Sequence, residues 1–153
     1  MKMNEFESIA DGILKFKEKS DIEKEWNSFH LDFSTPFEFK KDVYNKINQE
    51  IGKTAGLYSI FDGKDCLYIG TGKNIADRIK SHYKAAQGKD NAKRWNEFFR
   101  ENNGINTIYW TQFNIGQNQK QSHKIREIIE NILEIKYKPK FEYKKDSLPL
   151  VQY

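Results

Sequence analysis

The chain is poor in cysteine and proline and has no long apolar run. Cys66 stands alone among 153 residues, which excludes an internal disulfide framework and a cysteine-based zinc site. It sits in the apolar run Cys66-Leu67-Tyr68-Ile69, so it reads as a core residue, and a free thiol fits a reducing, cytoplasmic setting. No stretch approaches the ~18 consecutive apolar residues of a membrane span, and the first thirty residues are charged throughout. Both features argue against a membrane partner and a signal peptide, and for a soluble protein. Internal repeats and low-complexity tracts are also missing.

The length suits one domain, or one domain with an appendage. A chain of this size buries roughly 70% of its unfolded surface, so it can fold without a disulfide or structural metal. The net charge of +4 is too small to specify a partner, but it is unevenly spread. Residues 1–50 hold eight lysines against eleven acidic residues, whereas residues 71–100 hold eight lysines and arginines against three. A basic stretch of that size can supply phosphate contacts, although a solvated helix surface has the same composition.

The N-terminal third reads as helical, with Phe6, Ile9, Ile13, Leu14 and Phe16 at roughly helical spacing. Residues 29–33 alternate apolar and polar, as a short strand or an extended linker would. A helix is expected from Thr35 to about Glu50, with Thr35 and Glu38 as a capping box and Pro36 in the first turn. It would bury Phe39, Val43 and Ile47 and end at Gly52.

Gly56–Phe61 is rich in strand formers, Asp62-Gly63-Lys64-Asp65 has hairpin-turn chemistry, and Cys66–Gly70 returns as a second strand. Asn74 then caps a helix whose buried stripe is Ile75, Ile79, Tyr83 and Ala86. Another helix is expected over 91–100 and a third strand over 105–113. A last helix runs from about Ser122 to Tyr137, with Ile125, Ile128, Ile129, Ile132, Leu133 and Ile135 on a wide apolar face. Pro139 stops it.

Gly56-Leu57-Tyr58, then Tyr68-Ile69-Gly70, then Arg78 ten residues beyond the second tyrosine, resembles the signature of the GIY-YIG nucleases. Glu130, nine residues before Pro139 within a helix, matches that family's metal-binding glutamate and the proline after its helix. The resemblance covers residues 55–143. It implies an α+β fold: a small three-stranded antiparallel sheet flanked by helices. On this reading residues 1–53 are a helical N-terminal extension packed on the core, residues 54–143 the nuclease domain, and residues 144–153 a C-terminal tail.

The resemblance further implies an enzyme, an endonuclease that hydrolyses phosphodiester bonds in DNA with one divalent cation, Mg²⁺ or Mn²⁺. Glu130 would be the metal ligand, a hard oxygen donor for an ion that binds few protein groups and keeps several waters. Arg78 presents a planar fork of donors to phosphate oxygens. Tyr58 or Tyr68 would contact the attacking water, with Tyr58 expected as the base. His82, four residues after Arg78, would accept a proton from Tyr58 or hydrogen-bond it. Glu127 and Glu134 compete with Glu130 on the same helix, but the spacing to Pro139 selects Glu130, and the other two are expected to point further outward.

Nucleic-acid contacts are expected from Gly70, Thr71 and Lys73 in the turn before the helix, where small residues let backbone amides approach a phosphate. Lys80, Lys84 and Lys93 follow in the basic stretch. The chain departs from the family at Glu142, where an asparagine is usual. A carboxylate there would repel a phosphate or add a metal ligand. That departure favours the alternative of a catalytically inactive nucleic-acid-binding module, and the acidic N-terminal helices allow a third reading, a protein-interaction domain. One site per chain cuts both strands either as a homo-oligomer or in two successive events.

Overall fold

The structure is a computed structural model that describes residues 4–17, 20–116 and 118–141. Glu142 and the tail 144–153 lie outside the described residues.

The hairpin forms where the turn chemistry put it. β2 (Gly56–Asp62) and β3 (Asp65–Gly72) pair antiparallel, with Asp62 opposite Asp65 and the left-handed Gly63 between them. β4 (Ile105–Gln112) lies on the other side of β2, from Gly56 opposite Gln112 to Phe61 opposite Thr107. The sheet does not stop at three strands. β1 (Asn27–Asp32) pairs antiparallel with β4 and gives the order β1-β4-β2-β3. The N-terminal extension therefore contributes a strand as well as helices, because its alternating Phe29 and Leu31 meet an edge of β4 that needs backbone partners.

Helices cover both faces. α1 (Glu5–Phe16), α2 (Ile22–Glu25) and α6 (Gln119–Tyr137) share a core of Phe16, Ile22, Trp26, Leu57, Phe61, Ile69, Phe113, Ile125, Ile129 and Leu133. On the other face α3 (Lys40–Glu50), α4 (Ile75–Ala86) and α5 (Lys93–Glu101) enclose Val43, Ile47, Tyr58, Ile60, Leu67, Ile75, Ile79, Tyr83 and Phe99. The stripe expected on α4 is buried at all four positions, and Asn74 caps that helix by accepting from the Asp77 N–H at 3.3 Å. Asn118 caps α6 in the same way, accepting from Gln121 at 2.9 Å.

Several expected contacts are replaced. No side chain caps α3. A 3₁₀ turn over Phe37–Phe39 precedes it, and the Thr35 hydroxyl donates instead to the Asp32 carbonyl at 2.8 Å. That turn swings Phe39 outward, so it is exposed rather than buried. Phe6 and Leu14 of α1 and Ile132 and Ile135 of α6 are also exposed. Each of those helices buries a face narrower than its apolar residues would fill, because α1 packs chiefly on α6 and α6 has the sheet on one side only.

Candidate active site

Two tyrosines ten residues apart on a hairpin need not share a face. In an unbulged hairpin with Asp62 opposite Asp65, Tyr68 would oppose Ser59 and Tyr58 would oppose Ile69, which puts the rings on opposite faces of the sheet. The observed pairing shifts between Ile60 and Phe61: Phe61 opposes Cys66, Ile60 opposes Tyr68 and Tyr58 opposes Gly70. Leu67 is the extra residue. This bulge turns Tyr68 to the side of Tyr58, and their ring centroids lie 5.9 Å apart, nearly parallel at 28°.

The glycines of the second motif make room for this pair and for the arginine. A Cβ at Gly70 would stand 2.6 Å from Cζ and Oη of Tyr58 and 2.7 Å from Cε1 of Tyr68. A Cβ at Gly72 would stand 2.8 Å from Cγ of Arg78. Gly70 is itself buried, and the two tyrosine rings leave no room for a side chain there. The Thr71 hydroxyl donates to the Gly56 carbonyl at 3.2 Å and accepts from Nε of the buried Arg126 at 3.1 Å, an α6 residue that no motif or spacing distinguishes.

Tyr68, Arg78 and Glu130, from β3, α4 and α6, line one cavity of about 400 Å³ together with Ile69, Ser81, Asp90, Ala92, Trp95, Glu134, Pro139 and Phe141. Arg78 is exposed at its edge, while Glu130 and Glu134 are half-buried one helical turn apart. Glu134, expected to point outward, faces the cavity instead. Glu127 does point outward and pairs with His123 at 2.8 Å. The last wall is fixed by backbone pairing: the Lys140 and Phe141 N–H groups donate to the carbonyls of Cys66 and Leu67 at 3.0 Å, closing the outer edge of β3 over its bulge.

Tyr58 and His82 lie behind this surface, both with 0% exposure. The Tyr58 hydroxyl and His82 Nε2 are 2.7 Å apart, so the expected hydrogen bond is formed and the histidine is no surface residue. Trp95 stacks on the imidazole at 4.8 Å and Phe99 meets it edge-on at 4.7 Å. Burial, followed by the nearby Arg78 charge, pushes His82 well below its ordinary value. Both effects favour the neutral ring. His82 Nδ1 has no hydrogen-bond partner among the described residues.

Burial also raises both tyrosine hydroxyls, Tyr58 well above its ordinary value. The Arg78 cation opposes that rise and Glu130 adds to it. Of the two, only Tyr68 lines the cavity. A base there needs a cation stronger than Arg78 alone, and the carboxylates of Glu130 and Glu134 are suited to hold one. Among the described residues no three His, Cys, Asp or Glu side chains converge. One or two carboxylates nevertheless match Mg²⁺, which keeps most of its ligands as water and substrate oxygens.

The basic residues are dispersed. Lys73, Lys84 and Lys93 are exposed. Lys80 is half-buried, with Nζ 3.8 Å from Asp77 and 5.7 Å from the centre of the Tyr44 ring. At about 100° per residue Lys80 leaves α4 on the side away from Arg78. Of the residues not anticipated, only Ser81 carried a signal, its place three positions after Arg78 on one helix face. Asp90, Trp95 and Phe141 reach the cavity through tertiary packing. Comparison with family models, curated proteins and solved structures finds no match to this chain.

Proposed function

We propose that the chain is a divalent-metal-dependent endonuclease of the GIY-YIG type, hydrolysing phosphodiester bonds in DNA. The observation that carries the reading is the single cavity lined by Tyr68, Arg78 and Glu130. Three residues up to 62 positions apart bring a hydroxyl, a fixed cation and a carboxylate to one concave surface, which is what attack on a phosphodiester requires.

Glu130, with Glu134 one turn on, would hold the metal, and a bound Mg²⁺ or Mn²⁺ supplies Lewis-acid polarisation of the phosphate and relief of the leaving oxygen. Arg78 directs its donors at the phosphate oxygens from the cavity edge and needs no proton exchange to do so. Tyr68 contacts the attacking water. Tyr58, fixed by His82 and seated on Gly70, orients the Tyr68 hydroxyl and Arg78 from behind. One observation favours the inactive nucleic-acid-binding module: burial keeps both tyrosine hydroxyls protonated near neutral pH, where they are poor bases.

Supercoiled plasmid incubated with the protein and Mg²⁺ or Mn²⁺, with an EDTA control, separates the two. The nuclease reading expects metal-dependent cleavage that Glu130→Gln removes while the thermal unfolding midpoint stays near wild type. Nicked circles appearing first mean chains acting singly, and linear product from the outset means paired sites. Binding without cleavage in either metal establishes the inactive module. Cleavage by Glu130→Gln at the wild-type rate moves the metal to Glu134.

A further inference from the structure

The proposed chemistry uses Tyr68, Arg78, Glu130 and Glu134 of the cavity lining. Trp95, Ala92 and Asp90 also line it, with Trp95 5.2 Å from the Tyr68 ring, and nothing in phosphodiester hydrolysis accounts for them. The cavity's size is informative. About 400 Å³ falls within the roughly 300–1,000 Å³ of cavities that engulf small molecules, and as a sphere it would be about 9 Å across. A duplex whose major groove alone is about 12 Å wide cannot enter it. A phosphate on the surface of paired DNA reaches Arg78 at the edge and makes no use of Trp95 or Asp90.

We propose that the cavity binds one unpaired nucleobase beside Trp95, next to the scissile phosphate, so that the protein acts at bulged, single-stranded or extruded nucleotides. The inference rests on the phosphodiesterase reading and deepens it. Base planes stack on aromatic side chains whatever their sequence, and the half-buried Trp95, backed by His82 at 4.8 Å, supplies such a wall. Unpairing costs least where the base is already out of the stack, and that cost difference sets the selectivity.

Asp90 is placed to read the base. Its backbone is clamped by the Asn96 amide, which accepts from the Asp90 N–H at 3.0 Å and donates to the Asp90 carbonyl at 2.7 Å. Its Oδ1 accepts from the Ala92 N–H at 2.9 Å, which holds the carboxylate on the cavity wall. An acceptor-only group fits guanine best, whose pairing edge offers two adjacent N–H donors.

The test measures binding and cleavage of two dye-labelled duplexes, one perfectly paired and one with a single-nucleotide bulge. Anisotropy titrations in EDTA should give about tenfold tighter binding of the bulged duplex. Cleavage in Mn²⁺ should be faster by at least that ratio and fall beside the bulge. Trp95→Ala should collapse the preference, but Trp95 also packs on His82, so Ala92→Phe provides an independent check. Residue 92 is exposed, and a phenyl ring there fills the subsite without displacing core residues. Equal affinity for the two duplexes, or a preference that survives Ala92→Phe, overturns the inference. Equal cleavage of both overturns it and leaves the nuclease reading standing, whereas no cleavage of either defeats both. Across four bulged bases wild type should favour guanine, and Asp90→Asn, which retains the Ala92 contact, should lose that order. An unchanged order removes Asp90 as the reader.

Discussion

Gly70→Ala probes how tightly the hairpin holds its two tyrosines. The new methyl would meet Tyr58 at 2.6 Å and Tyr68 at 2.7 Å, well inside van der Waals contact. The Tyr58 ring is fully buried and hydrogen-bonded to His82, so it has little room to yield. Overpacking a close-packed core costs about 1–3 kcal/mol, and lower freedom of the unfolded chain returns roughly 0.4–1 kcal/mol. Three short contacts to two rings place the cost at the upper end, for a net loss of about 2 kcal/mol. For a chain of this length that lowers the unfolding midpoint by roughly 4–8 °C. If the rings shift by several tenths of an ångström, cleavage falls steeply, since misplacement of about 1 Å can cost ~10²-fold. Thermal denaturation without ligand is the deciding assay. Were Gly70 needed only for a phosphate to approach its backbone, the variant would unfold like wild type and lose affinity alone. A double-mutant cycle with Tyr58→Leu sharpens the point, because removing the ring should remove most of the cost of the methyl. Destabilisation that persists in full in that background refutes the packing argument.

Arg78→Ala should lower the single-turnover cleavage rate by about 10²–10³ with a modest loss of affinity, and a rate restored by saturating protein would reduce Arg78 to a binding residue. His82 should make the fold acid-labile. The unfolded chain takes up a proton below about pH 6.5 that the buried ring refuses, so stability falls with pH by up to about 1.4 kcal/mol per unit and is unaffected above that range. Urea titrations of wild type and His82→Gln from neutral to acidic pH should converge, and parallel curves would mean the ring accepts the proton while folded. Neutralising exposed Lys84 and Lys93 should flatten the dependence of log affinity on log salt by about 0.9 for each phosphate that is no longer neutralised. Lys80→Met should change it less, because Asp77 and Tyr44 already engage that ammonium group. An unchanged slope for the first pair places the DNA on another face.

The hairpin turn and α4, set by neighbours a few residues apart, were readable from the sequence alone, whereas the capping box at Thr35 gave way to a 3₁₀ turn. Asp62-Gly63-Lys64-Asp65 specified a two-residue turn because glycine reaches the left-handed region cheaply. Asn74 and the stripe Ile75, Ile79, Tyr83 and Ala86 specified α4, and with Arg78 fixed on that helix its side of the site followed. What the sequence did not determine depends on partners far along the chain. β1 became a strand only by pairing with β4, whose residues lie about eighty positions away, and alternation at 29–33 could not reveal that partner. The bulge at Leu67 is a choice of register, and every side chain beyond it changes face with that choice. The two tyrosines share a site for this reason and not because of their spacing. Glu134, Asp90 and Trp95 had no distinguishing pattern. They reach the cavity because α5 packs on α4 and residues 139–141 pair along β3, which closes a concave wall that only the assembled layers possess.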